Sequence, residues 1–153
     1  DKVLEWANDI TDSYKDRQVI LLTHSHVYED DKLHGVEPVA TDNLEIIKSP
    51  GGANNGLAIW EKLISRHAGM SLVFNGHFLG TGRILGIGNK ENNVHQMLSN
   101  YQDMDKGGGG YLRLVHCDPP SGKIYVKTYS PYLDSYLIDN SNEFVLENCN
   151  FHQ

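Results

Sequence analysis

Gln18-Val-Ile-Leu-Leu-Thr23-His24-Ser25-His26 and Ser71-Leu-Val-Phe-Asn75-Gly76-His77 are built alike: a short apolar run, a polar exit, then histidine. Such a run between polar flanks fits a buried strand. Between the two, Leu57, Trp60, Ile64 and His67 recur at helical spacing and predict a helix ending near Gly69, since glycine is favoured just past a helix C-terminus. Strand, helix, strand in that order is a β-α-β unit, whose crossover makes the two strands parallel in one sheet. Their carboxyl ends then share one rim, which is where open α/β sheets bind ligands. The reading delivers His24 and His77 to one place.

Working outward, Val3, Leu4, Ala7, Ile10 and Tyr14 show helical spacing from the first residues, and the chain opens on Asp1 rather than Met. This reads as a polypeptide cut from something longer. Residues 29–56 carry acidic residues, His34, Pro38, Pro50 and Gly51, Gly52 and Gly56 with little periodicity, the mark of a long functional loop. Beyond Gly82 the pattern changes to short strands over 83–87, 94–101, 111–116, 123–129 and 144–146, read as antiparallel β. Asp118-Pro-Pro-Ser-Gly122 is a turn between two of them, and Lys106-Gly-Gly-Gly-Gly110 is expected to be a flexible connector. The expected organisation is one domain's C-terminal part over 1–153, with an α/β segment at 1–81 and a β-rich tail at 82–153.

Bulk properties exclude several function classes. With 153 residues, 39% hydrophobic and 22% charged, the chain has room for one core or part of a larger one, and it is not compositionally disordered. A formal charge of -7 opposes a nucleic-acid surface, which needs clustered Lys and Arg. No run approaches the roughly 18 apolar residues of a membrane span, and no signal peptide is recognisable. Cys117 and Cys149 lack CxxC spacing, so a cysteine metal site is not expected; they either pair or stay as small apolar groups.

Three blocks then carry a family resemblance. They are Val19-Ile-Leu-Leu-Thr-His-Ser-His-Val-Tyr-Glu-Asp30, Leu72-Val-Phe-Asn-Gly-His-Phe-Leu-Gly80, and Asn93-Val-His-Gln-Met-Leu-Ser-Asn-Tyr-Gln102 followed by Gly110-Tyr-Leu-Arg-Leu114 and Lys127-Thr-Tyr-Ser-Pro-Tyr132. In this order they resemble the C-terminal part of the calcineurin-like metallophosphoesterases, in a bacterial branch with a β-rich tail. The resemblance implies an α/β fold, part of a two-sheet β-sandwich flanked by helices. It also implies a phosphate-ester substrate, two divalent metal ions (Mn, Fe or Zn), and a secreted or periplasmic location. The family's Asp-x-His, Gly-Asp and Gly-Asn-His-Asp/Glu motifs do not occur here, so the N-terminal half of the domain is a missing partner and the chain alone is expected to be inactive.

Residue by residue, the resemblance makes His24 and His77 metal ligands, the latter as the first histidine of Gly-His-x-His. The second falls on Leu79, which cannot bind metal. Leu79 therefore supports the alternative of a non-catalytic binding or interaction domain built on the same fold. His26 is the candidate catalytic residue, against the simpler reading of a histidine at a strand exit. Asn54, Asn55 and Arg83 are candidate substrate-binding residues; helix capping competes for the asparagines and solvation for the arginine. His67, His95 and His116 are read as structural.

Overall fold

The apolar run after Gln18 becomes strand β1 (Val19–Thr23) and the run after Gly69 becomes β2 (Met70–Asn75), in a computed structural model that describes residues 2–36 and 53–151. They pair in parallel, Ile20 opposite Leu72 and Thr23 opposite Asn75. Strands β3 (Gly80–Ile87) and β4 (Asn93–Asn100) extend this sheet in the order β1-β2-β4-β3. β4 runs parallel to β2 and antiparallel to β3. The purely antiparallel expectation beyond Gly82 is corrected here, and the 81/82 division falls inside β3. β4 occupies the middle because both its faces can be buried: Val94, His95, Gln96, Met97 and Leu98 are all nearly inaccessible.

A second sheet follows, built from β5 (Leu112–Asp118), β6 (Lys123–Ser130), β7 (Ser135–Leu137) and β8 (Phe144–Leu146). β6 is central, with β5 along one edge and β7 and β8 sharing the other. β7 has no counterpart in the sequence reading, because three residues are too few to show alternation. The β5–β6 hairpin turns through Pro119–Ser121 and Gly122, whose φ of 66° glycine adopts without steric cost. The Lys106–Gly110 connector is not a floppy linker. All five residues take positive φ, Gly108 and Gly109 are buried, and Ser130 Oγ donates to the Gly109 carbonyl.

Helix α1 (Lys2–Ser13) and helix α2 (Gly56–Lys62) cover one face of the first sheet. Instead of continuing to Gly69, α2 stops at Leu63, where φ is -134°, and Ile64–Arg66 form a 3-10 turn. The break lets the consecutive residues Leu63 and Ile64 both enter the core, where they are 2% and 0% exposed. There they meet Ile59, Met70, Val73 and Val94, with Leu4 and Ala7 of α1 alongside. On the sheet's other face Leu72 and Met97 pack against Ile124, Val126, Leu146 and Cys149. The result is a mixed α/β molecule of three layers, helices on sheet on sheet. Each fully buried aliphatic side chain contributes about 1.5–3 kcal/mol to holding the layers together.

Of the expected long loop, 29–36 and 53–56 are described; residues 37–52, with Pro38, Pro50, Gly51 and Gly52, lie outside the described residues. Cys117 and Cys149 are free thiols, and burial pushes the Cys149 thiol up to about 11. Among the described residues no helix is long and apolar enough to cross a membrane.

Candidate functional site

At the carboxyl ends of β1 and β2 the backbone itself joins the two exits: Gly76 N–H donates to the His24 carbonyl at 3.2 Å. Asn75 strengthens the junction. Its Oδ1 accepts from Val27 N–H at 3.0 Å, and its Nδ2 donates to the carbonyls of Val27 and Gly76. One buried amide thus pins the segment after β1 to the end of β2. The chain then turns through His77, whose φ is +65°, a left-handed conformation uncommon for a non-glycine residue and concentrated at functional sites. The His77 carbonyl accepts from Asn100 Nδ2 at 3.0 Å, which ties the turn to the end of β4.

These constraints bring the imidazoles of His24 and His77 to a ring-centre separation of 4.5 Å, with planes inclined by 49°. Neither side chain has a hydrogen-bond partner among the described residues. Beneath them lies an aromatic floor. Phe78 stacks on His77 at 5.0 Å and on Tyr28 at 4.0 Å, and His34 closes the group at 5.3–5.4 Å from Tyr28 and Phe78. Val27 and Leu98 complete this buried cluster.

His26, the candidate catalytic residue, lies below the rim. It is 0% exposed, and its Nε2 meets Gln96 Oε1, on β4, at 2.6 Å. An amide oxygen only accepts, so Nε2 carries the proton. Nδ1 is then a buried acceptor without a partner. Burial pushes this imidazole below its ordinary value of 6.5, against the raising effect of the Gln96 bond. In this fold His26 lies in the core without solvent access.

The asparagines are engaged elsewhere. Asn55 is the N-cap of α2, its Oδ1 accepting from Ala58 N–H at 2.8 Å, and Asn54 Oδ1 accepts from Lys62 Nζ at 2.9 Å. Arg83, three residues into β3, places its guanidinium 4.3 Å above the Phe144 ring of the second sheet. Leu79 is 41% exposed beside Phe78. His67 Nε2 bonds Asn8 Oδ1 at 2.7 Å, tying α1 to the turn after α2; His95 is buried in β4 and His116 is exposed on β5.

The two imidazoles stand close enough for a nitrogen of each to face one common point. Two nitrogens on one tetrahedral ion stand about 3.3 Å apart when each bond is about 2.05 Å, a spacing that rings with centres 4.5 Å apart can supply. Among the described residues no group of three or more His, Cys, Asp or Glu side chains could hold an ion. The Glu29 carboxylate lies close to Gly80, where an added Cβ would stand 3.3 Å from its Oε2. A cleft of about 710 Å³ opens at the opposite end of β1, between Val19, Asp12, Arg66 and His67. Asn75 and Asn100 are site-building residues that the sequence reading did not single out. The polar residue at each strand's last position was the available signal.

The chain is similar to an uncharacterized protein, YvnB, of Bacillus subtilis (strain 168), with 28% identity over 158 residues. That similarity takes in 95% of this chain and 11% of the relative, so the chain spans about a ninth of the length of the protein it matches. No protein-family profile and no solved structure matches it.

Proposed function

We propose that this chain is the histidine-bearing part of a metal-dependent phosphoric-ester hydrolase of the calcineurin-like kind, acting on a phosphomonoester or phosphodiester. The observation that carries the reading is the His24–His77 pair at the carboxyl ends of adjacent parallel strands, with rings 4.5 Å apart and nitrogens not otherwise engaged. Neutral imidazole suits borderline divalent ions such as zinc, iron and manganese. When bound, a pair of such ions supplies an activated water and a clamp on the phosphoryl oxygens.

The chain's own residues have narrower tasks. His24 and His77 offer nitrogen donors. Asn75 and Asn100 hold the turns that aim them, and the Phe78–Tyr28 floor keeps water from one side. The carboxylates that would bridge two ions belong, on this reading, to the remainder of a longer protein. The test is made on that complete protein, by metal analysis and by hydrolysis of an aryl phosphate and a bis-aryl phosphate with added Mn²⁺. His24→Ala and His77→Ala should each lower turnover by at least about a hundredfold, the upper range for loss of a mere ligand-orienting partner. Full activity in either variant overturns the proposal.

A second reading has its own observation. Leu79 stands where the resembling family has a second histidine, and it is exposed at 41%. A non-catalytic binding domain on this fold predicts a complete protein that keeps no metal and hydrolyses neither ester.

A further inference from the structure

Between the two sheets, away from the histidine rim, lies a cleft of about 100 Å³ walled by Arg83, Arg113, Thr81, Asn140, Ser141 and Asp31. Arg83 comes from β3 and Arg113 from β5. Their guanidiniums lie 4.3 Å and 5.5 Å from the centre of one ring, that of Phe144. Two positive groups therefore converge on a single half-buried phenyl group, in a chain whose net charge is -7.

Neither cation has an ion-pair partner among the described residues. Arg113 donates from Nη1 to the Leu98 carbonyl at 3.2 Å, and from Nη2 to Tyr101 Oη and the Ser141 carbonyl, both at 3.0 Å. All three acceptors are neutral. Its Nε is buried without a partner, and burial, aided by the charge of Arg83, lowers its proton affinity. The Arg83 guanidinium has no hydrogen bond of its own among the described residues. The nearest carboxylates are turned to other work. Asp31 Oδ1 accepts from the Arg83 backbone N–H at 2.8 Å, and Asp139 is held by Ser141 N–H and Asn142 Nδ2.

A buried donor without an acceptor costs about 1–3 kcal/mol, more when it is charged. Natural arginine pairs of this kind are satisfied by bidentate contact with carboxylate or phosphate. The cleft is smaller than the roughly 300 Å³ at which drug-sized sites begin, so its occupant is a small ion. Donors approach from two directions, which suits an ion with oxygens on several sides better than a planar carboxylate. Asp31 in the wall and Asp139, which acts on Arg113 from outside it, offset part of this charge, but neither forms an ion pair with a guanidinium among the described residues.

We infer that the Arg83–Arg113 cleft is a binding site for a tetrahedral oxyanion, phosphate or sulfate, seated between the two sheets. Arg83 supplies the open charged donors, Arg113 adds its charge and the one Nη1 hydrogen not bonded to Leu98, and the hydroxyls of Thr81 and Ser141 flank the ion. The site is independent of the metal reading at the rim.

The test is the melting temperature of EDTA-treated protein at pH 7.5 in sodium phosphate, sodium sulfate or sodium chloride at equal ionic strength. Ligand binding to the native state alone raises stability with the logarithm of concentration, so phosphate and sulfate should raise the melting temperature in a saturable way that chloride does not. Arg83→Gln, a surface change that spares the bonds of Arg113, should weaken that increment at least tenfold in apparent affinity. Arg66→Gln, a distant exposed arginine, should leave it intact, as should the double variant His24→Ala/His77→Ala. An equal response to chloride, or an increment that survives Arg83→Gln, overturns the inference. An increment lost in the double histidine variant and kept in Arg83→Gln moves the anion to the rim and overturns it equally.

Discussion

His24 and His77 stand with ring centres 4.5 Å apart because a hydrogen bond from Gly76 N–H to the His24 carbonyl locks the exits of two parallel strands. A pair of imidazoles without carboxylates holds a divalent ion weakly and singly. Titration of the 153-residue chain with Co²⁺, followed by visible absorption or calorimetry, should give no more than one ion per chain at the rim. His24→Ala and His77→Ala should each abolish it. Two tightly held ions would contradict the half-site description.

Catalysis by the chain alone is the next expectation. With no bridging carboxylate among the described residues, nothing keeps two cations close enough to clamp attacking and leaving oxygens. Assay of the purified 153-residue chain with an aryl phosphate and Mn²⁺ should show no enzymatic turnover. Rates near 1 per second, ordinary for enzymes, that vanish in His77→Ala would mean the chain is a complete enzyme.

The β-α-β unit was legible because β1 and β2 are uninterrupted apolar runs whose exits are marked by polar residues, and helical spacing separates them. The placement of β4 was not. Val94 to Leu98 contain His95 and Gln96, so the run read as one short strand of an antiparallel array. In the fold His26 meets Gln96 at 2.6 Å, and that bond allows a polar residue in a central strand. The break of α2 at Leu63 was equally hidden, since Leu57, Trp60, Ile64 and His67 fit one continuous helix. The positive φ of His77 leaves no trace in the residue type, yet it orients the ring. Likewise nothing local joins Arg83 to Arg113; only the stacking of the two sheets brings both to Phe144.

Acid should destabilise the protein. Burial lowers the proton affinity of His95, against a hydrogen bond to the Glu147 backbone, and lowers that of His67 against the attraction of Asp12. Both groups then bind fewer protons folded than unfolded, so unfolding takes up protons as pH drops below the ordinary value of 6.5. Stability therefore rises with pH through the window beneath 6.5 and is flat above it with respect to these groups. Melting temperatures at pH 5.5 and 7.5 should show the loss, and His95→Gln should shrink it. A melting temperature that is unchanged, or higher at pH 5.5, would refute the assignment.

Core packing gives a stability prediction at the rim's foundation. Leu98 is 0% exposed and joins Val27, Tyr28 and Phe78, so Leu98→Ala leaves a cavity beneath the histidine turn. The expected cost is about 2–5 kcal/mol by denaturant unfolding. Weaker Co²⁺ binding should accompany it, because Phe78 follows His77 directly and loses its support.

The outer flank of the molecule carries the last expectation. Leu4 and Ala7 of α1 pack inward, yet Val3, Trp6 and Ile10 form a second apolar stripe on the same helix, continued by Tyr14 just past its end, 44–74% exposed. Beside it β1 is an edge strand, and Ile20 and Leu22 project from it at 52% and 75% exposure. An unpaired strand edge with apolar flanks is a template for another chain, and exposed apolar area is worth about 25 cal/mol per Å² when covered. The 153-residue chain should therefore associate as its concentration rises, seen in sedimentation velocity as a growing fast-moving species. Trp6→Glu combined with Leu22→Lys should suppress this without lowering the melting temperature by more than a few degrees, since neither side chain is buried. A wild-type chain that stays monomeric at high concentration would show that the stripe and edge do not drive association.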